Sequence, residues 1–126
     1  MKVFTIPATL TAPRTARSLM TRFGEQQGIA AHVVADAVLL ISELTGNALL
    51  HARSEARIRL SHDVDTLRVE VSDDSEQLPR MSVPSVGATG GRGVFILEAL
   101  AASWGATVRT DPPPGKTVWF ELRTQD

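Results

Sequence analysis

Cysteine is absent from the 126 residues, which excludes disulfides and thiolate metal sites. The three histidines, His32, His51 and His62, are scattered, and no H-E-x-x-H spacing occurs. An excess of basic charge is missing too. Thirteen Lys and Arg stand against fourteen Asp and Glu, for a formal net charge of −1 and a pI near 6.3. No overall positive field exists to draw in nucleic acid, so direct nucleic-acid binding is not expected. Met1-Lys2-Val3-Phe4-Thr5-Ile6-Pro7 lacks the long apolar stretch of a signal peptide. By the same reading, no segment offers the roughly 18–20 apolar residues that span a bilayer. The expectation is a cytoplasmic protein with no membrane attachment. Internal repeats, coiled-coil heptads and separate linkers are also missing.

What is present suits one soluble domain over residues 1–126. Hydrophobic residues make up 43% and charged residues 21%, ordinary values for a globular chain. A chain of this length buries roughly two thirds of its unfolded surface, and division into two domains would leave each with too little core. Val3 to Ile6 reads as a short strand closed by Pro7. Thr11-Ala12-Pro13 reads as a helix start, with a hydroxyl cap and proline in the first turn; that helix should run to about Gln27 and stop at Gly28. A second helix is expected over about Ala31 to Ala52, with Val34, Val38, Ile41, Leu44 and Ala48 as its core stripe. Ile58 and Leu60, then Leu67, Val69 and Val71, alternate with polar residues as two strands of an antiparallel hairpin. A third helix is expected from about Arg92 to Ser103. A last hairpin pairs Ala106–Thr110 with Thr117–Leu122. The order β-α-α-β-β-α-β-β implies an α/β (α+β) two-layer sandwich: a mixed, mostly antiparallel sheet covered on one face by three helices.

Three segments carry the chemistry. On the second helix, Glu43, Asn47 and His51 recur every four residues, which lines a carboxylate, an amide and an imidazole along one edge. In Val71-Ser72-Asp73-Asp74-Ser75-Glu76, an acidic pair ends a buried strand and begins a loop. In Thr89-Gly90-Gly91-Arg92-Gly93-Val94, a glycine-rich turn runs straight into an apolar helix, where close backbone approach and free N–H groups suit an anion. Each has a plain structural reading as well: a solvated helix edge, a histidine aided by the helix dipole, an Asx turn, a simple connector. Gly115-Lys116-Thr117 is not a P-loop, since Thr110 stands where that motif needs its first glycine and the turn leads into a strand.

In order and sequence together, these segments resemble the GHKL (Bergerat-fold) ATP-binding domain. The similarity is to its stand-alone anti-sigma factor and serine kinase branch, in the short actinobacterial form. Ser42-Glu43-Leu44-Thr45-Gly46-Asn47-Ala48-Leu49-Leu50-His51-Ala52 resembles the N box. Val71-Ser72-Asp73-Asp74-Ser75 resembles the first glycine box, and Gly90-Gly91-Arg92-Gly93-Val94 the second. Trp104-Gly105 and Gly115-Lys116-Thr117-Val118-Trp119-Phe120-Glu121-Leu122 fit the same branch. The resemblance implies ATP and Mg²⁺ as ligands. Asn47 would hold Mg²⁺, Glu43 would act as general base, and Asp73 would accept a hydrogen bond from the adenine amino group. Thr117 would help hold adenine through an ordered water, and Gly91, Arg92, Gly93 and Val94 would line the phosphates.

The departures are Ser75 and Gln77, where the family's D-x-G-x-G has glycines, and a short lid over about Pro79 to Thr89. No dimerisation-and-phosphoacceptor helix is seen, so a self-contained histidine kinase is not expected. The function implied is an ATP-dependent serine/threonine-protein kinase that also restrains a sigma factor, its substrate a serine on a STAS-type anti-sigma factor antagonist. A homodimer is implied by the resemblance alone. Two other readings stay open: a non-catalytic, nucleotide-gated binding module for another partner, and a domain that no longer binds nucleotide.

Overall fold

Period-two alternation does what it dictates: it makes a sheet with one dry face. In the computed structural model, which describes residues 1–75, 93–110, 112 and 114–125, five strands form this sheet. They are β1 (Lys2–Ile6), β2 (Ala56–His62), β3 (Thr66–Asp73), β4 (Ser103–Arg109) and β5 (Gly115–Arg123), in the spatial order β1-β2-β3-β5-β4. Every pairing among the described residues is antiparallel. Ile58 and Leu60 of β2, Leu67, Val69 and Val71 of β3, and Val118, Phe120 and Leu122 of β5 are buried together. They meet Met20, Phe23, Leu40, Ile41, Leu44 and Leu97 from the helices, which cover one face of the sheet. The expected two-layer sandwich with three helices is the fold found.

The first helix, α1 (Ala12–Gln27), carries Pro13 in its first turn and stops at Gly28, whose φ of 67° is left-handed. Gly28 N–H donates to Glu25 O and Ile29 N–H to Gly24 O, which satisfies carbonyls the helix end would leave bare. The expected hydroxyl cap is not made. Thr11 has φ −89° and ψ −1°, away from the extended backbone a capping side chain needs, and its Oγ1 pairs instead with Thr9 Oγ1.

The second helix is α-helical as α2 (Ala31–Asn47) and then widens into a π-helical turn, Ala48–Ala52, that ends at Arg53 in the left-handed region. Its buried stripe is Val33, Ala37, Leu40, Ile41, Leu44 and Ala48, while Val34 and Val38 are half-buried. Val34 is turned toward α1. A Cβ built on Gly24 would sit 2.5 Å from Val34 Cγ2, so the two helices approach closely there. One expectation from sequence is overturned here: Ala31–Leu50 is long and apolar enough to cross a membrane by length and composition. In the fold this stretch is the central helix, packed on α1, β3 and β5.

The third helix, α3 (Gly93–Leu100), is shorter than its hydrophobic pattern suggests, because β5 claims the residues that follow. Ala102 N–H donates to Glu121 O, and Ser103 Oγ donates to Glu121 Oε1. Ser103 is thereby the first residue of β4 and not the last of a helix.

Candidate functional site

β3 ends on a buried carboxylate. Asp73 is 2% exposed, on the same face as Leu67, Val69 and Val71. Its cross-strand neighbour in register is Lys116, 5% exposed and on the same face as Val118, Phe120 and Leu122. Lys116 Nζ lies 3.0 Å from Asp73 Oδ1 and 2.8 Å from Oδ2. Ser75 N–H donates to Oδ1 at 2.9 Å, an Asx turn that folds the chain back as it leaves the strand. Two charges this deeply buried persist only when each compensates the other.

The neighbouring residue is anchored separately. Asp74 Oδ1 accepts from Arg57 Nη2 at 3.0 Å, and Asp74 N–H donates to Ser54 Oγ at 3.1 Å. Partial burial pulls the Arg57 pKa down, but Asp74 and then Glu55 outweigh it and hold the guanidinium above its ordinary range. The two aspartates thus divide the work: Asp74 fixes the start of the loop, and Asp73 faces the interior.

Thr117 does not join Asp73. Successive residues of a strand point to opposite faces. Thr117 pairs in register with Ser72, and their hydroxyls lie 2.7 Å apart on the face away from Asp73. The residue of β5 that shares Asp73's face is Lys116. The side chain placed beside the Asp73 carboxylate is the Lys116 ammonium. Its parity with Val118, Phe120 and Leu122 marks Lys116 as inward-facing. The chain has only two lysines, Lys2 and Lys116, among its thirteen basic residues. Ser54 and Arg57, far from Asp74 in sequence, had no local signal.

Glu43 and Asn47 stand one turn apart on α2, both half-buried, on the helix that packs against β3 and β5. The α-helical line of four-residue steps holds between these two. Beyond Asn47 the backbone is π-helical, a device common where a helix carries function. His51 belongs to that turn, and its side chain lies outside the described residues. No cluster of three or more His, Cys, Asp or Glu suited to a metal occurs among the described residues. An amide oxygen is a hard donor of the kind Mg²⁺ takes, commonly one or two from protein with the rest from phosphates and water. Asn47 has the amide oxygen for it.

Gly93 and Val94 are the first two residues of α3. Gly91 and Arg92, together with Gln77 and the lid over 79–89, lie outside the described residues.

Gly115 closes the site from below. A Cβ there would collide with the Asp73 backbone carbonyl and Arg109 Nη2, and a carbonyl in a paired strand cannot swing aside. Arg109 Nη2 donates to that same carbonyl at 3.5 Å. Replacing Gly115 by alanine should cost about 1–3 kcal/mol of stability, the range for overpacking. A urea denaturation curve checks this, and a midpoint at the wild-type value would mean the β3–β5 edge has more slack than the structure holds.

With this geometry in view, comparison with known proteins gives a consistent result. Residues 6–122 match the family described as Histidine kinase-like ATPase domain. No curated protein matches the chain. Among solved structures, the chain is similar to the RsbU and RsbW domains of Rv1364c from Mycobacterium tuberculosis, with TM-score 0.72 and 23% identity over 97% of this chain. It spans 31% of that longer protein. It is also similar to the SiaB-SiaC complex from Pseudomonas aeruginosa, with TM-score 0.71 and 10% identity, covering 98% of this chain and 89% of that one. At these identities the likeness establishes the shared fold.

Proposed function

Because the chain belongs to the histidine kinase-like ATPase domain family, we propose that it is an ATP-dependent protein serine kinase and anti-sigma factor of a partner-switching system. Its substrate would be a serine of a STAS-type antagonist, and its other partner a sigma factor competing for an overlapping surface. The protein would act in the cytoplasm, as a monomer or a homodimer. The likeness to an RsbW domain and to a SiaB-SiaC complex supports the partner class. The observation that carries the nucleotide reading is the placement of Glu43 and Asn47 on a helix packed over β3, whose end holds the buried Asp73.

In this reading each residue has one task. Asp73 accepts a hydrogen bond from the adenine amino group and so selects the base. Asn47 would hold Mg²⁺ through its amide oxygen. The ion, when bound, neutralises charge on the phosphates. Gly91, Arg92, Gly93 and Val94 would line those phosphates. Glu43 takes the proton of the substrate serine as the serine oxygen bonds to the γ-phosphorus. The bond between that phosphorus and the β–γ bridging oxygen breaks, giving phosphoserine and ADP. Such transfer is catalysed mainly by positioning and charge stabilisation, so a small set of side chains suffices.

The experiment is calorimetric titration with ATP and ADP, with and without Mg²⁺, followed by label transfer from γ-labelled ATP to a STAS-type protein. Magnesium-dependent binding followed by labelled serine is expected. Binding with no labelled product over long incubation would leave a nucleotide-gated binding module. No binding at roughly millimolar nucleotide would leave the polar edge of α2 as protein surface.

A further inference from the structure

Asp73 and Lys116 hold more hydrogen-bonding capacity than the described residues use. A carboxylate offers about four lone-pair sites and an ammonium three protons. Among the described residues, Asp73 Oδ1 takes Lys116 Nζ and Ser75 N–H, while Oδ2 takes Lys116 Nζ alone. Among the described residues, Asp73 is the only hydrogen-bond partner of the Lys116 side chain. Each of these atoms has at least one partner, as buried polar atoms almost always do, yet the pair keeps capacity that a ligand could use. What remains is one acceptor site on Oδ2 next to one or more donor protons on Nζ, with the two atoms 2.8 Å apart.

That spare pair has the pattern of a base edge. Adenine presents a donor, its exocyclic amine, beside an acceptor, ring nitrogen N1. Resting on the nucleotide reading above, we propose that Lys116 is a base-reading residue: it donates to adenine N1 while Asp73 Oδ2 accepts from the amine. The side chain that completes base recognition is then the inward-facing lysine of β5, and Thr117 stays with Ser72 on the other face. The arrangement also rejects guanine and hypoxanthine. Both present an oxo acceptor where adenine has its amine, and N1–H where adenine has a lone pair. A carboxylate can only accept and an ammonium can only donate, so in the same pose both contacts become repulsive.

The test compares equilibrium affinities for ATP, for 1-deaza-ATP, which lacks the N1 acceptor but keeps the amine, and for 7-deaza-ATP, which keeps both. Wild-type protein should bind 1-deaza-ATP about 10–100-fold more weakly than ATP, the usual worth of a hydrogen bond to a charged donor. It should bind 7-deaza-ATP about as well as ATP. In Lys116→Met, whatever its absolute affinity, the ratio of ATP to 1-deaza-ATP should fall to near one.

A second measurement needs no variant. With only two lysines in the chain, selective nitrogen-15 labelling of lysine resolves the buried ammonium from exposed Lys2. The buried signal should move with ATP and hardly at all with 1-deaza-ATP. Equal wild-type affinity for the two nucleotides, or an unchanged ratio in Lys116→Met, overturns the role of Lys116 while leaving nucleotide binding intact. Absence of any ATP binding by the wild type overturns both readings.

Discussion

Glutamine in place of Glu43 should lower phosphoryl transfer by about 10²–10⁴-fold, the usual contribution of a positioned general base, while ATP binding persists. The substitution keeps size and hydrogen-bonding reach and removes only the ability to take a proton. Asn47 and Asp73 stay as they are, so magnesium and adenine contacts survive. Glu43 is half-buried on a helix surface and not in the core, so the neutral amide should leave the fold intact. Single-turnover transfer from labelled ATP to the partner serine gives the rate, and calorimetry gives the affinity. A rate that survives at the wild-type level would remove Glu43 from the base role. Parallel loss of rate and affinity would mean it acts in binding instead.

Much of this was legible in the sequence, for a physical reason that differs between layers. The strands around Leu67, Val69, Val71 and Ile58, Leu60 declared themselves because one face is dry and period two leaves no other register. Gly28 declared the end of α1 because a left-handed residue is needed there. The errors fall where tertiary contacts outvote local pattern. Apolar periodicity carries α3 to Ser103, but β5 claims that residue for an edge strand. Helical spacing carries α2 to Ala52, but the last five residues are π-helical. The stripe on α2 was misjudged at Val34, because close approach to Gly24 gives that side chain a second helix to pack on.

In the candidate site, Glu43, Asn47 and Asp73 were put forward from spacing and resemblance. The partner of Asp73 was not, because Lys116 is 43 residues away and an isolated lysine in a turn reads as solvated. Strand parity held the signal: if Val118 and Phe120 face inward, so does Lys116.

The Asp73–Lys116 pair makes the second large prediction, because its structural and functional roles separate under substitution. Asp73→Asn leaves a buried ammonium without its counter-charge, and Lys116→Met leaves a buried carboxylate without its own. Breaking one partner of such a pair typically costs about 3–5 kcal/mol, a large share of the roughly 5–15 kcal/mol that holds a domain of this size together. The double substitution Asp73→Asn with Lys116→Met removes both charges and should recover part of that loss, the remainder being the cost of a buried Asn amide without the ammonium as its partner. Nucleotide binding should not recover with it, because the carboxylate that accepts from the amine and the ammonium beside it are both gone. Denaturant unfolding of the two single variants and the double variant measures the coupling, and calorimetry on the refolded double variant measures the function. Partly restored stability without ATP binding is the outcome expected of a recognition pair. The same recovery with wild-type ATP affinity would reduce the pair to a clasp between β3 and β5, and the base would have to be read by other residues.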